Sequence, residues 1–114
     1  MVEGEWTVEG EWTVERGFAA LTSAPGRIAY RFHARDAHLV MGPAAKGTSV
    51  RFRVGLDGQA VGAAHGSDVD DQGAGVARAQ RLYQLIRQPG AIADRLLEIE
   101  FLDPGLEAYA FTFG

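Results

Sequence analysis

LEIEFLDPGLEAYAFTFG, residues 97–114, alternates apolar and polar side chains on both sides of a break. Leu97, Ile99 and Phe101 leave one side of the chain and Glu98 and Glu100 the other. After Asp103, Pro104 and Gly105 the pattern resumes with Tyr109, Phe111 and Phe113. Period-two burial marks a strand, because successive side chains leave opposite faces of an extended backbone. Asp-Pro-Gly is turn chemistry: Pro presets φ, Asp bonds to nearby backbone and Gly accepts left-handed geometry. Residues 97–113 therefore read as two strands joined by a hairpin or a corner.

The same grammar extends upstream. Between Arg27 and His33, Ile28, Tyr30 and Phe32 alternate with Arg27, Arg31 and His33; Val50–Leu56 alternates around Arg51 and Arg53 and runs into Asp57-Gly58, a two-residue turn signal. Ala37–Met41 reads as a strand buried on both faces and stopped by Gly42-Pro43. Val76–Ile86 carries helical spacing as well, but Gly75 and Pro89 bracket it, and Leu82–Ile86 is assigned to a strand. Gly62–Gly75 is a long loop or an irregular edge. Residues 2–14 hold a duplicated hexad, VEGEWT twice and then Val14, with Val, Gly or Trp at even positions and Glu or Thr at odd ones. A loop at Glu9, Gly10 and Glu11 would fold it into a hairpin pairing Val8 with Trp12 and Trp6 with Val14. A shift of one whole hexad preserves the pattern, so register is weakly specified.

About eight or nine short strands with almost no helical periodicity predict an all-β fold, an antiparallel β-sandwich of jelly-roll-like form. Its inner layer is expected from Ile28, Tyr30, Phe32, Val50, Phe52, Val54, Leu97, Ile99, Phe101, Phe111 and Phe113. A chain of 114 residues suits one domain, here residues 1–114. The net charge of −4 argues against a nucleic-acid partner, which needs a clustered basic face. The absence of cysteine removes disulfides and thiol chemistry and leaves the compartment open, cytoplasmic or extracytoplasmic according to the parent protein. No apolar run reaches the roughly twenty residues that cross a bilayer, so no membrane insertion by this chain is expected.

Exposed aromatic rings are the usual means by which β-sandwiches hold sugars, with Asp and Arg taking the hydroxyls. Trp6, Trp12, Tyr30 and Tyr83 offer such rings. The candidate ligand-binding set is Trp6, Trp12, Tyr83, Arg81 and Asp68, set against the commoner fate of such rings as core or rim packing. The Arg51/Arg53 and Glu98/Glu100 rows would form cross-strand ion pairs if their strands are neighbours, an ordinary solvated ladder rather than an anion site. Asp68, Asp70, Asp71 and Gly73 resemble part of a calcium loop but lack its closing Glu, and an Asx turn is the simpler reading. His33, His38 and His65 lack metal-ligand spacing. No carboxylate pair stands in an apolar surround suited to glycoside hydrolysis. No metal, cofactor or catalytic residue is assigned, and the chain is expected not to be an enzyme.

Gly4-Glu5-Trp6, FHARDAHLVMG from Phe32, VRFRVGLDG from Val50, GSDVD from Gly66, RLYQL from Arg81 and FLDPGLEAYAFTFG from Phe101 together span almost the whole chain. In order and spacing they resemble the C-terminal domain that follows the thioredoxin-like domain in DipZ-type and related bacterial redoxin proteins, a carbohydrate-binding-module-like β-sandwich. The second hexad departs from that family's single Gly-x-Trp opening. The resemblance implies a non-catalytic accessory module for recognition or domain packing. Its partners would be the thioredoxin-like domain of the same polypeptide and a possible glycan. The alternatives are an autonomous carbohydrate-binding module and a structural dimerisation module.

Overall fold

The computed structural model describes residues 6–114. Nine antiparallel strands form one hydrogen-bonded sheet that curls into a jelly-roll-like β-sandwich. They are β1 (Trp6–Glu15), β2 (Phe18–His33), β3 (Asp36–Pro43), β4 (Val50–Leu56), β5 (Gln59–Ala60), β6 (Ala74–Ala77), β7 (Arg81–Arg87), β8 (Asp94–Phe101) and β9 (Leu106–Phe113). The sole helical element among the described residues is a 3-10 turn at Gly62–Ala64. The sheet order is β5-β4-β8-β2-β9-β3-β7, with β1 on β2 and β6 on β4.

The strands are not uniformly short. β2 runs for 16 residues and belongs to both layers. Its C-terminal half pairs with β8 from Gly26 to His33, and its N-terminal half pairs with β9 at Ala19 and Ala20. The curl brings β4, near one end of the order, against β7 at the other, so Phe52 meets Tyr83 edge-on at 6.2 Å; in the middle of the order Tyr30 of β2 lies 4.8 Å from Phe111 of β9. Ile28, Tyr30, Phe52, Leu97, Ile99 and Phe101 are almost wholly buried, as their alternation requires; Phe111 and Phe113 are half-buried at the rim.

The expected hairpin inside the duplicated hexad does not form. β1 passes straight through Gly10 and pairs along β2, with register shifts between Glu9 and Trp12. Alternation is satisfied equally by a hairpin and by one long strand. The long strand gains a neighbour with buried inner residues, since Val8 opposes Ile28 and Trp12 opposes Leu21. Residues before Trp6, including four of the six in the first hexad, lie outside the described residues. The Asp57-Gly58 turn forms as expected, both residues taking positive φ between β4 and β5.

Asp103-Pro104-Gly105 makes a corner, not a hairpin: β8 and β9 border different halves of β2 and do not pair with each other. The Asp103 carboxylate fastens this corner to β4. It accepts the backbone N–H of Arg51 at 2.9 Å and the guanidinium Nε and Nη2 at 3.0 and 2.8 Å. These bonds, the guanidinium first, hold its pKa down at about 2. A carboxylate depressed in the folded state stabilises above its unfolded pKa of about 3.9 and stops doing so as pH falls towards 2. Asp103→Asn is therefore expected to cost about 1 kcal/mol at pH 7, with solvent screening the partly exposed pair. Thermal melts of both proteins should differ by about 4 °C at neutral pH, and the gap should all but close at pH 2.

Candidate functional site

The segment between β5 and β7 folds along the edge of β7, where the Gly66 and Asp68 amides donate to the Leu85 and Gln84 carbonyls. This brings three of the five candidate residues together. Arg81 Nη2 donates to Asp68 Oδ1 at 2.7 Å, and the Arg81 guanidinium lies over the Tyr83 ring, 3.9 Å from its centroid. Asp68 Oδ2 accepts the Gln84 amide at 2.7 Å. The Arg81 bond, then the amide, draws the Asp68 pKa down against partial burial, while Arg81 is held up by the same bond. Tyr83 is 1% exposed; its hydroxyl donates to the Ala79 carbonyl and accepts the Arg78 and Ala79 amides. The cluster ties the loop to the sheet, and the Tyr83 ring offers no face to a sugar.

Trp12 lies on another strand, half-buried, edge-on to Phe101 at 5.9 Å, with its indole N–H donating to the Glu9 carbonyl at 2.8 Å. It closes the rim of the core. Trp6 pairs through its backbone with Tyr30, and Tyr30 is buried. Asp70 Oδ1 accepts the Gln72 and Ala74 amides at 2.9 Å, an Asx-type turn. The histidines are dispersed, His33 on Asp94 and His38 on Thr112. Among the described residues no group of three or more His, Asp or Glu stands close enough to hold a metal ion.

A polar concavity lies on the outer face of β4 and β8. β4 turns Val50, Phe52, Val54 and Leu56 inward, so Arg51, Arg53 and Gly55 face out. β8 turns Glu98 and Glu100 the same way, because Arg53 opposes Glu100 and Gly55 opposes Glu98. On the far side of β8, Arg27 of β2 opposes Glu100. The strands are neighbours, as the charged rows require, yet the expected ladder is broken. Arg51 is taken by Asp103, Arg27 reaches Glu98 at 3.4 Å, and Arg53 and Glu100 make no ion pair among the described residues. Glu100 thus stands in register between two arginines and engages neither.

These side chains line a furrow of about 460 Å³ with Gly55 within it, and Gln59 and Gln72 add side-chain amides that make no hydrogen bond among the described residues. A second hollow of about 250 Å³ shares Arg27 and Glu100 and continues to Glu9 and Gly10 at the bulge of β1. From β5 to β1 the furrow crosses four inter-strand gaps, about 19 Å at the usual spacing. Sequence reading named none of this as a site, since its residues come from five strands and each is unremarkable alone. The Arg53 and Glu100 rows were the available signal.

The described residues thus form a jelly-roll-like sandwich with a polar furrow on one outer face. The chain belongs to the family of thioredoxin-like C-terminal domains, whose model matches residues 1–114. The match reaches that family and not the DipZ type in particular. Among solved structures, a family two carbohydrate esterase from Clostridium thermocellum in complex with cellohexaose superposes with a TM-score of 0.65 at 12% identity, over 96% of this chain and 31% of that one. A family two carbohydrate esterase from Cellvibrio japonicus gives 0.64 at 9% identity, over 96% and 30%. Identities this low speak to the fold, and the chain spans under a third of either esterase. No curated protein sequence matches it. Among the described residues no helix is long and apolar enough to cross a membrane.

Proposed function

We propose that this chain is the non-catalytic accessory module of a thioredoxin-like protein and that its work is recognition, performed in the furrow across β5, β4, β8, β2 and β1. The observation that carries this reading is the uncommitted pair Arg53 and Glu100, facing each other without an ion pair at the centre of a concave surface. A surface ladder built for stability would have closed that pair. Left open, the two supply charge-assisted donors and acceptors to a ligand, each such bond contributing about 1.5–3 kcal/mol. A glycan is the supported ligand class: hydroxyls both donate and accept, and a solved structure of like fold belongs to an esterase in complex with cellohexaose.

Titration of the isotope-labelled chain with cellohexaose and a panel of other oligosaccharides tests this by NMR. Shifts are expected at Arg27, Gly55, Glu98 and Glu100, and Arg53→Ala or Glu100→Ala should each weaken binding about tenfold or more. A panel that leaves the furrow amides unmoved would overturn the proposal, as would shifts centred on Trp12 or Tyr83.

Domain packing is the second reading, favoured by the open side of the sandwich at β1, β2 and β9. There Val14 is 77% and Val8 39% exposed, beside Phe18, Ala108 and Tyr109 in a mostly apolar groove of about 400 Å³. The family implies the thioredoxin-like domain of the same polypeptide as its occupant. A second copy paired along β1 is disfavoured, because it would bring like-charged Glu rows together. Amide exchange at Val14 in the two-domain protein, slowed relative to the single module, is the result this reading expects; unchanged exchange rejects it.

A further inference from the structure

We infer that Gly55 is the contact seat of the furrow, the point where a neutral oligosaccharide comes closest to the backbone of β4. This deepens the recognition reading above and rests on it. Glycine inside a strand weakens it, and elsewhere in these strands a neighbour explains each one. A Cβ at Gly26, Gly42 or Gly75 would drive into Leu21, Gln80 or Phe52, and Gly10 combines positive φ with the Pro25 carbonyl. Gly55 has no such reason. Its φ is not positive, and an added Cβ would meet only the Gln59 carbonyl oxygen, at 3.4 Å. The outward row of β4 begins with Arg51 and Arg53, so a side chain at Gly55 would project into the furrow next to Arg53 and opposite Glu98. What the glycine provides is bare backbone under a ligand.

The surroundings select the ligand's charge. Around Gly55, Arg27 and Arg53 are matched by Glu98 and Glu100, and Glu9 adds a third carboxylate at the β1 end, so a polyanion meets carboxylates and a polycation two guanidiniums. A neutral chain of hydroxyls avoids both costs and satisfies donors and acceptors alike. A peptide is less well served: the furrow crosses the strands instead of following a free edge, and its walls of Arg, Glu and Gln hold no apolar pocket for alternate side chains.

The test is Gly55→Val in the 114-residue chain, read by thermal melting and by titration with three probes: cellohexaose, a hexamer of a uronic acid and a Gly-Ser hexapeptide. Valine suits a strand and restricts the unfolded chain, so Tm should hold or rise by about 2 °C or more. Affinity for cellohexaose should fall at least about tenfold, with Gly55→Ala intermediate. A fall in Tm would show that the glycine is structural, and unchanged cellohexaose affinity would place the contact elsewhere; either overturns the inference. Furrow shifts in the parent chain with the uronate or the peptide but not with cellohexaose would leave recognition standing and refute the neutral-sugar assignment. Silence of the furrow towards all three probes would refute both.

Discussion

Phe101→Ala is expected to remove about 3–5 kcal/mol of unfolding free energy, a large share of what a domain of this size possesses. Phe101 is fully buried at the end of β8, where three strands meet. It opposes Gly26 on β2 and Phe52 on β4, and carries Trp12 of β1 on its edge. Removing the ring opens a cavity between strands whose backbones are fixed by hydrogen bonds on both sides, so the site has little means of collapsing. Urea denaturation should show the midpoint falling with an unchanged slope. Phe101→Leu, which refills most of the volume, should recover more than half of the loss; a loss below about 1 kcal/mol for the alanine variant would contradict the packing described.

Gly73→Ala is the second large effect, at about 2–4 kcal/mol. Gly73 has φ +83°, and its carbonyl accepts the Val54 amide at 2.7 Å where the loop crosses β4. A Cβ there would lie inside the contact shell of the Val54 carbonyl oxygen, a backbone atom that cannot turn aside. Gly58 has nearly the same φ, +81°, but open space around it, so Gly58→Ala measures the backbone cost alone, about 1–2 kcal/mol. The difference between the two variants isolates the collision. Equal costs would mean that the loop yields freely. Hydrogen exchange in the Gly73 variant should accelerate first at Gly66 and Asp68, whose amides hold the loop to β7.

Much of the fold was legible because alternation is a local signal. Ile28, Tyr30 and Phe32, then Val50, Phe52 and Val54, then Leu97, Ile99 and Phe101 are buried as their spacing requires. Pairing is not local, and there the sequence was ambiguous. The hexads fit a hairpin or a single strand, and only the presence of β2 alongside decides between them. The setting of the ring candidates was ambiguous for a related reason. Tyr83 sits between Leu82 and Gln84, so its neighbours do not reveal which face it takes. The structure turns Leu82 outward and Tyr83 into the core. The furrow was least visible, since it depends on Arg53, Glu100 and Arg27 arriving side by side from three strands and on ion pairs that do not form.

The double membership of β2 governs how the molecule is made. Its two halves template β8 and β9, more than sixty residues downstream, so neither layer can be completed while residues 94–113 are still unsynthesised. Closing loops of that length is slow, and topologies of this kind reach the native state in milliseconds to seconds. A ribosome carrying the first half of the chain therefore displays apolar ribbon with nothing to cover it. Chaperone demand and aggregation risk should peak in that window and subside once the last strand emerges.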